Sequence, residues 1–347
     1  MKFTHLFSDY SLAGDMSLEN RLVMAPMTRC FADNELAPTE AAMSYYQARA
    51  ETGLIITEAT LVEPRAQGYP RTPGIYSEKQ IGAWSGVVDA VHGAGGRIFC
   101  QLWHTGRMAH SHYTGKHPLA PSAVGMEGPL PRAPDLAYEI PLEMEMSDIE
   151  KIQTYYVNAA RNAIKAGFDG VELHSANGYL MDQFLHQQTN QRADDYGGNP
   201  VNRSRFVLEV IDKTIAALAP YRVGIRLSPQ AYINLDYTPG DEETFNYLLE
   251  QLNLRQLAYV HVAAFDAQQH YDYLGGRPVD YVRKHYTGTL IGCGGFSPMS
   301  AEKELHDGRM DLVAFGRPFI ANPDLPSRIR RGEELLPYDE SMLQKLR

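Results

Sequence analysis

Apolar residues along the chain gather in short continuous runs, separated by longer stretches where they recur every three or four positions. The short runs lie at 22–27, 54–61, 97–103, 170–175, 222–228, 259–264, 289–294 and 312–316. They are mostly continuous rather than alternating, which is the pattern of parallel strands covered on both faces. The stretches between them have a helical period. Ser77-Glu78-Lys79-Gln80 is a capping box ahead of Ile81, Trp84, Val87, Val88 and Val91, which share one helical face. Ser147-Asp148-Ile149-Glu150 reads as a second, opening Ile152, Tyr155, Tyr156, Ala159 and Ala163. Ser297-Pro298 and Asn322-Pro323 each set a capping side chain before a proline suited to the first helical position. Gly95, Gly96, Gly167 and Gly308 stand where helices should stop. Further helices are predicted near 39–52, 201–219, 241–257 and 278–285.

Strand followed by helix, eight times over, predicts a (β/α)8 barrel, an α/β fold of the TIM type. The competing arrangement is an open doubly wound sheet. That fold wants a glycine-rich turn after its first strand, where this chain has Ala25-Pro26-Met27-Thr28. Two long connections interrupt the pattern, at 106–146 after the third strand and 179–200 after the fourth. Loops of such length usually serve as lids or walls. With no linker or low-complexity tract between them, residues 1–347 are read as one domain.

Composition narrows the function. Hydrophobic residues make up 44% and charged residues 21%, which is globular, and the net charge is −10. No run of five or more Lys/Arg exists, so nucleic acid and anionic membrane are poor partners. No apolar run approaches the ~18 residues of a spanning helix, and the N-terminus lacks a signal-like apolar stretch. The three cysteines, Cys30, Cys100 and Cys293, are odd in number and far apart; each is expected to be a small buried core residue. A reducing, cytoplasmic setting follows as the expectation, with no metal site.

In a barrel the C-terminal ends of the strands converge on one mouth. The residues there are Pro26, Met27 and Thr28, then Glu58, Ala59 and Thr60, then Gln101, Trp103 and His104. His174, Asn177, Arg226, Gly294, Gly295, Gly316 and Arg317 complete the ring. The glycines after strands seven and eight would let backbone N–H groups approach phosphate oxygens, and Arg317 adds a forked donor. Arg226 lies in the apolar run Val223-Gly224-Ile225-Arg226-Leu227, where a buried charge requires either an ion-pair partner or an electron-rich ligand. His174 and Asn177 can donate to one oxygen, and Tyr179, following Gly178, can bring a hydroxyl to the same place. His186 and Glu172 lie nearby without a recognisable metal spacing.

These residues also fall in a familiar order. The motifs are Asn20-Arg21, Ala25-Pro26-Met27-Thr28-Arg29, Glu58-Ala59-Thr60, Gln67-Gly68-Tyr69 and Gln101-Leu102-Trp103-His104-Thr105-Gly106-Arg107. They continue as His174-Ser175-Ala176-Asn177-Gly178-Tyr179-Leu180, Gln188-Thr189-Asn190, Asp195-Tyr196-Gly197-Gly198, Asn202-Arg203 and Phe315-Gly316-Arg317-Pro318. Over residues 6–331 the chain resembles the old yellow enzymes, FMN-dependent ene-reductases of the NADH:flavin oxidoreductase group. It looks most like those of the pentaerythritol tetranitrate reductase and N-ethylmaleimide reductase type.

The resemblance implies that Pro26, Met27, Ala59 and Gln101 line the isoalloxazine of FMN, with Thr28 near its C4 carbonyl. It implies Arg226 at the N1/C2 side, where a cation favours the reduced ring. Gly294, Gly295, Gly316 and Arg317 would hold the phosphate. His174 and Asn177 would grip the substrate's activating oxygen, Tyr179 would supply the proton, and Tyr69 and Trp103 would shape the pocket. NADPH or NADH would be the reductant. Small electrophilic alkenes, conjugated to carbonyl or nitro groups, would be the substrates, with quinones or nitrate esters as further acceptors and a monomer or homodimer as the working unit. The Tyr196–Arg205 stretch reads as structural turn chemistry.

Two features depart from the family pattern: the tail after Leu335-Leu336-Pro337-Tyr338, which leaves no C-terminal pocket aromatic assignable, and the His-rich stretch at 109–116. Two other classes compete. A Schiff-base aldolase would want a lysine at a strand mouth, where strand six offers His261. A non-catalytic flavin- or phosphate-binding barrel would have no use for His174, Asn177 and Tyr179 together.

Overall fold

The computed structural model describes residues 3–14, 16–231 and 235–346. Eight parallel strands make a ring: β1 (Leu22–Met24), β2 (Leu54–Ile56), β3 (Ile98–Trp103), β4 (Gly170–Ser175), β5 (Val223–Leu227), β6 (Tyr259–Val262), β7 (Leu290–Cys293) and β8 (Leu312–Phe315). The ring closes because β8 pairs with β1 through Val313↔Leu22, Ala314↔Val23 and Phe315↔Met24. That pairing leaves no free edge in the ring and excludes the open sheet. The outer helices are α1 (Glu40–Gln47), α2 (Glu78–Gly93), α3 (Met146–Lys165), α4 (Pro200–Leu218), α5 (Asp241–Asn253), α6 (Pro278–His285), α7 (Pro298–His306) and α8 (Leu325–Arg331). No helix of the described residues is long and apolar enough to cross a membrane.

Local signals placed most helix ends. Ser77 and Gln80 form the capping box of α2, and Ser297 caps α7 ahead of Pro298. Gly95, Gly167 and Gly308 follow the C-caps with φ of +85°, +98° and +68°, a conformation glycine adopts without Cβ strain. Asn199 caps α4, with Pro200 at its first position, within the turn-rich segment read as structural.

Other expectations are corrected. Helix α3 starts at Met146, ahead of Ser147: Asp148 accepts the Glu145 N–H at 3.1 Å, so Glu145 is the cap. Asn322 does not open α8, whose cap is Asp324. It ends the short helix Arg317–Ala321, and its amide both donates to the Leu336 carbonyl (3.0 Å) and accepts the Leu336 N–H (2.8 Å). The run 54–61 is two strands, since Thr60–Leu61 pairs separately with Leu102 and Trp103. Between them Glu58 turns out of the ladder, and its carboxylate accepts the N–H groups of Arg29 (2.9 Å) and Cys30 (3.3 Å). Burial, outweighing those bonds, pushes the Glu58 carboxyl up to about 7.

Only Cys100 is a fully buried core thiol. Cys30 is half-buried, in a left-handed turn (φ +64°) after β1, and Cys293 is half-buried at the end of β7. An antiparallel pair, Tyr10–Leu12 with Met16–Leu18, was not anticipated, since three-residue strands carry no periodic signal. It sets Leu12 and Leu18 against the barrel-lining residues Val23, Leu54, Phe99 and Leu312.

The 106–146 excursion folds into a short helix (Ser111–Thr114) and a hairpin of Pro129–Leu130 with Ala133–Ala137. In its His-rich part, His110 Nε2 lies 3.0 Å from the Ala137 carbonyl, which ties helix to hairpin. At the hairpin, Arg132 donates to the carbonyls of Arg29 (2.8 Å) and Thr28 (3.2 Å), which draws the excursion down onto the end of β1.

Candidate active site

Side chains alternate along a strand, so every second residue faces the barrel axis. That face receives Gln101 and Trp103 from β3, Glu172 and His174 from β4, Arg226 from β5, His261 from β6 and Cys293 from β7. Register sets His174, Arg226 and His261 side by side at one level. One level below, Gln101 Nε2 donates to Glu172 Oε1 at 2.7 Å, and Glu172 Oε2 lies 2.9 Å from His261 Nδ1.

Burial opposes charge on both members of the Glu172–His261 pair, but their mutual attraction outweighs it: the Glu172 carboxyl is lowered and the His261 imidazole raised. Arg226 is left out of this pairing. Among the described residues it forms no ion pair; its Nη2 donates to Cys293 Sγ at 3.9 Å, and its Nε is buried without a partner. Burial would raise the Cys293 thiol, yet His261 and the Arg226 cation hold it below its usual value. The structural salt bridge considered for Arg226 is therefore not found among the described residues, and its charge is available to a ligand.

A cavity of about 300 Å³ opens beside this floor, lined by Cys293, Gly294, Gly295, Phe296, Gly316 and Arg317 together with Ala264, Phe265, Ala314, Phe315 and Pro318. Gly294 has φ +139°, and a Cβ there would come within 2.7 Å of the Ala267 nitrogen. Gly295 has φ +72°. Side chains are thus excluded where backbone N–H groups must stay accessible. The Arg317 guanidinium lies 5.3 Å from the Phe265 ring and 5.8 Å from Tyr338, with no carboxylate partner among the described residues. Tyr338, from the departing tail, therefore packs beside Arg317; the tail then reaches Arg29, which donates to the Met342 (3.2 Å) and Lys345 (2.7 Å) carbonyls. Met27 lies close to Gly316, where a Cβ would sit 3.5 Å from its sulfur.

Two unneutralised arginines around a glycine cradle fit a phosphate joined to an electron-rich ring, as FMN is. Arg317→Ala is expected to weaken FMN binding by roughly 10–100-fold, the range of a lost charge-assisted contact. Arg317→Lys should recover only part of it, since the planar fork is lost. Equilibrium dialysis with fluorescence of the freed flavin measures both.

On the other side of the mouth, Tyr69, Trp103, His174 and Tyr179 form an aromatic wall with Ala59 packed into it. The Tyr69 and Tyr179 hydroxyls meet at 2.8 Å. The Tyr179 ring stands edge-on to Trp103 at 4.7 Å and to His174 at 5.1 Å. Burial first, then the charges of Arg226 and His261, hold the His174 imidazole well below its usual value. His174 is thus neutral, able to donate one hydrogen bond, and its Nδ1 is buried without a partner. Asn177 sits in a left-handed turn with Gly178 (φ +62° and +74°) that carries Tyr179 toward the wall. Pro26 and Thr28 lie half-buried just beyond β1.

Sequence reasoning had not assigned Glu172, His261 and Cys293 to the site. Their common signal was a polar side chain at the inward spacing of an apolar strand. His186 is a further buried group, between Asp182 (3.3 Å) and Asp241 (2.9 Å). Burial works against its charge, but the two carboxylates win and raise the imidazole to about 9. A raised folded-state value stabilises below the unfolded value of ~6.5 and is lost as pH rises through about 9. The melting temperature should therefore fall between pH 7 and 9.5, and His186→Gln should lower it while flattening that dependence. A pH series of melting curves for both proteins checks this.

The chain matches the family model of the NADH:flavin oxidoreductase / NADH oxidase family over residues 6–335. It is 39% identical over 344 residues to 12-oxophytodienoate reductase 1 of Oryza sativa subsp. japonica, covering 97% of this chain and 88% of that one. The structure superimposes on an old yellow enzyme homologue from Zymomonas mobilis with a TM-score of 0.91 at 36% identity, covering 98% and 96% of the two chains. Morphinone reductase in complex with tetrahydroNAD gives 0.88 at 41% identity, covering 98% and 94%. With the closed barrel, the glycine cradle and the unpaired arginines, these likenesses establish that the chain belongs to the NADH:flavin oxidoreductase / NADH oxidase family, as an FMN-dependent, NAD(P)H-using oxidoreductase of the old yellow enzyme type.

Proposed function

We propose that the chain, acting as one FMN-binding barrel domain in the cytoplasm, reduces the C=C bond of small alkenes conjugated to a carbonyl or nitro group. Gly294, Gly295, Gly316 and Arg317 hold the FMN phosphate. Pro26, Met27, Thr28, Ala59, Gln101 and Arg226 surround the ring. The chemistry supplied by bound FMN is hydride transfer, in from NADPH or NADH and out to the alkene β-carbon. Neutral His174 and Asn177 donate to the activating oxygen, which withdraws charge as hydride arrives. Tyr179 delivers the proton to the α-carbon, and Tyr69 is placed to replenish it. Trp103 and Tyr69 wall the pocket.

The observation carrying this reading is the pairing, in one aromatic mouth, of a neutral histidine bearing a buried, unpartnered ring nitrogen with a tyrosine hydroxyl. An aldolase is disfavoured because the polar groups on the inner face are Gln101, Glu172, His174, Arg226 and His261, with no lysine among them. The test is a panel of enones, nitroalkenes and unactivated alkenes with both nicotinamides under anaerobic conditions. Turnover of the activated alkenes alone is expected. Nicotinamide oxidation that no electron-poor alkene accelerates would sink the proposal.

A further inference from the structure

We infer that Asp182, on the short helix Leu180–Leu185 behind the mouth, is a positioning residue for Asn177, acting through the backbone of the Asn177–Gly178 turn and the Ser228 hydroxyl. This rests on the proposed role of Asn177 at the substrate oxygen.

The turn has two successive left-handed residues, one of them not glycine, so it needs an outside hold. Buried side chains supply it from two sides. The Gly178 N–H donates to Asp182 Oδ2 at 2.9 Å. The Asn177 N–H donates to Ser228 Oγ at 2.9 Å, and that hydroxyl donates to the same Asp182 oxygen at 3.2 Å. The Gly178 carbonyl accepts from Gln183 Nε2 at 2.7 Å. Asp182 and Gln183 are fully buried, and Ser228 is 1% exposed, so water cannot substitute for a missing partner.

One Asp182 oxygen thus accepts from both the Gly178 N–H and the Ser228 hydroxyl. His186 backs the carboxylate from the other side: its Nε2 lies 3.3 Å from Asp182 Oδ1, and its Nδ1 is anchored at 2.9 Å on Asp241. The peptide units gripped here are those that aim the Asn177 side chain and lead into Tyr179. A shift of about 1 Å in such a group can cost as much as 100-fold. The chain thus fixes the substrate-oxygen donor from a carboxylate that never touches substrate.

A double-mutant cycle on the FMN-loaded enzyme tests this, read by the binding of phenol, whose oxygen stands in for the held substrate oxygen and whose docking perturbs the flavin absorbance. The variants are Asp182→Asn and Ser228→Ala, each alone and combined with Asn177→Gly. Glycine is chosen at 177 because alanine would be strained at that φ. With Asn177 present, each variant should raise the phenol Kd by about tenfold with FMN content intact. In the Asn177→Gly background each should change it by less than twofold. Equal weakening in both backgrounds, or no weakening in either, overturns the inference and makes Asp182 scaffolding only. Should Asp182→Asn not fold, Ser228→Ala alone decides, since it removes one hydroxyl. An Asn177→Gly enzyme that binds phenol as tightly as the parent overturns the assignment of Asn177 itself, a result separate from the other two.

Discussion

Replacing Tyr179 by phenylalanine is expected to slow alkene reduction by ~10²–10⁴-fold, the usual cost of losing a positioned proton donor. Oxidation of the nicotinamide should stay within a few-fold. The ring stays, so its edge contacts with Trp103 and His174 stay, and the shape of the mouth is preserved. Only the hydroxyl 2.8 Å from Tyr69 goes. In the proposed cycle, hydride delivered to the β-carbon leaves charge that His174 and Asn177 would hold but not neutralise, so the second half alone needs the proton. Tyr69→Phe is expected to have a smaller effect, because it removes the partner and leaves the donor. Stopped-flow measurement of each half-reaction decides the matter. Equal slowing of both halves, or of neither, would make Tyr179 a wall residue with the proton coming from elsewhere.

Arg226→Met is the second large effect. Partial burial of a guanidinium without a carboxylate partner is unfavourable unless something else compensates. Glu172, the buried acid on the same inner face, is already engaged by Gln101 and His261. On the proposed reading the compensating group is the cofactor. The substitution should lower FMN affinity by roughly 10–100-fold and make the retained flavin harder to reduce, since the reduced ring loses its nearest cation. The melting temperature of the FMN-free protein should be unchanged or higher, because a partly buried charge with no carboxylate partner among the described residues has been removed. Flavin content, the midpoint potential by dye equilibration and a melting curve together test this. Unchanged affinity and potential would mean that the Arg226 charge serves the barrel and not the cofactor.

The eight strands, the Ser77 and Ser297 caps and the glycines that end α2, α3 and α7 were legible in the chain because each depends on neighbours within a few residues. Ordered motifs carried the family, and with it the membership of the mouth. Local signals failed where two candidates competed at close range. Glu145 caps α3 in place of Ser147, and Asn322 is used by the Leu336 backbone before it can open α8. The split of the 54–61 run was hidden for a related reason: Glu58 leaves the ladder to bind N–H groups of residues 29 and 30, a partnership no local pattern announces.

What the tertiary structure alone decided is which polar groups satisfy one another. Barrel closure and strand register place Gln101, Glu172 and His261 in contact from three strands, and so leave Arg226 without a carboxylate partner among the described residues. The same closure brings Tyr69 to Tyr179 across 110 residues, and Asp182 to Ser228 across 46. A sequence specifies the side chains that can donate, accept or carry charge. Whether a buried charge is spent inside the protein or left for a ligand depends on distances of a few ångströms between distant segments, and those exist only once the ring has closed.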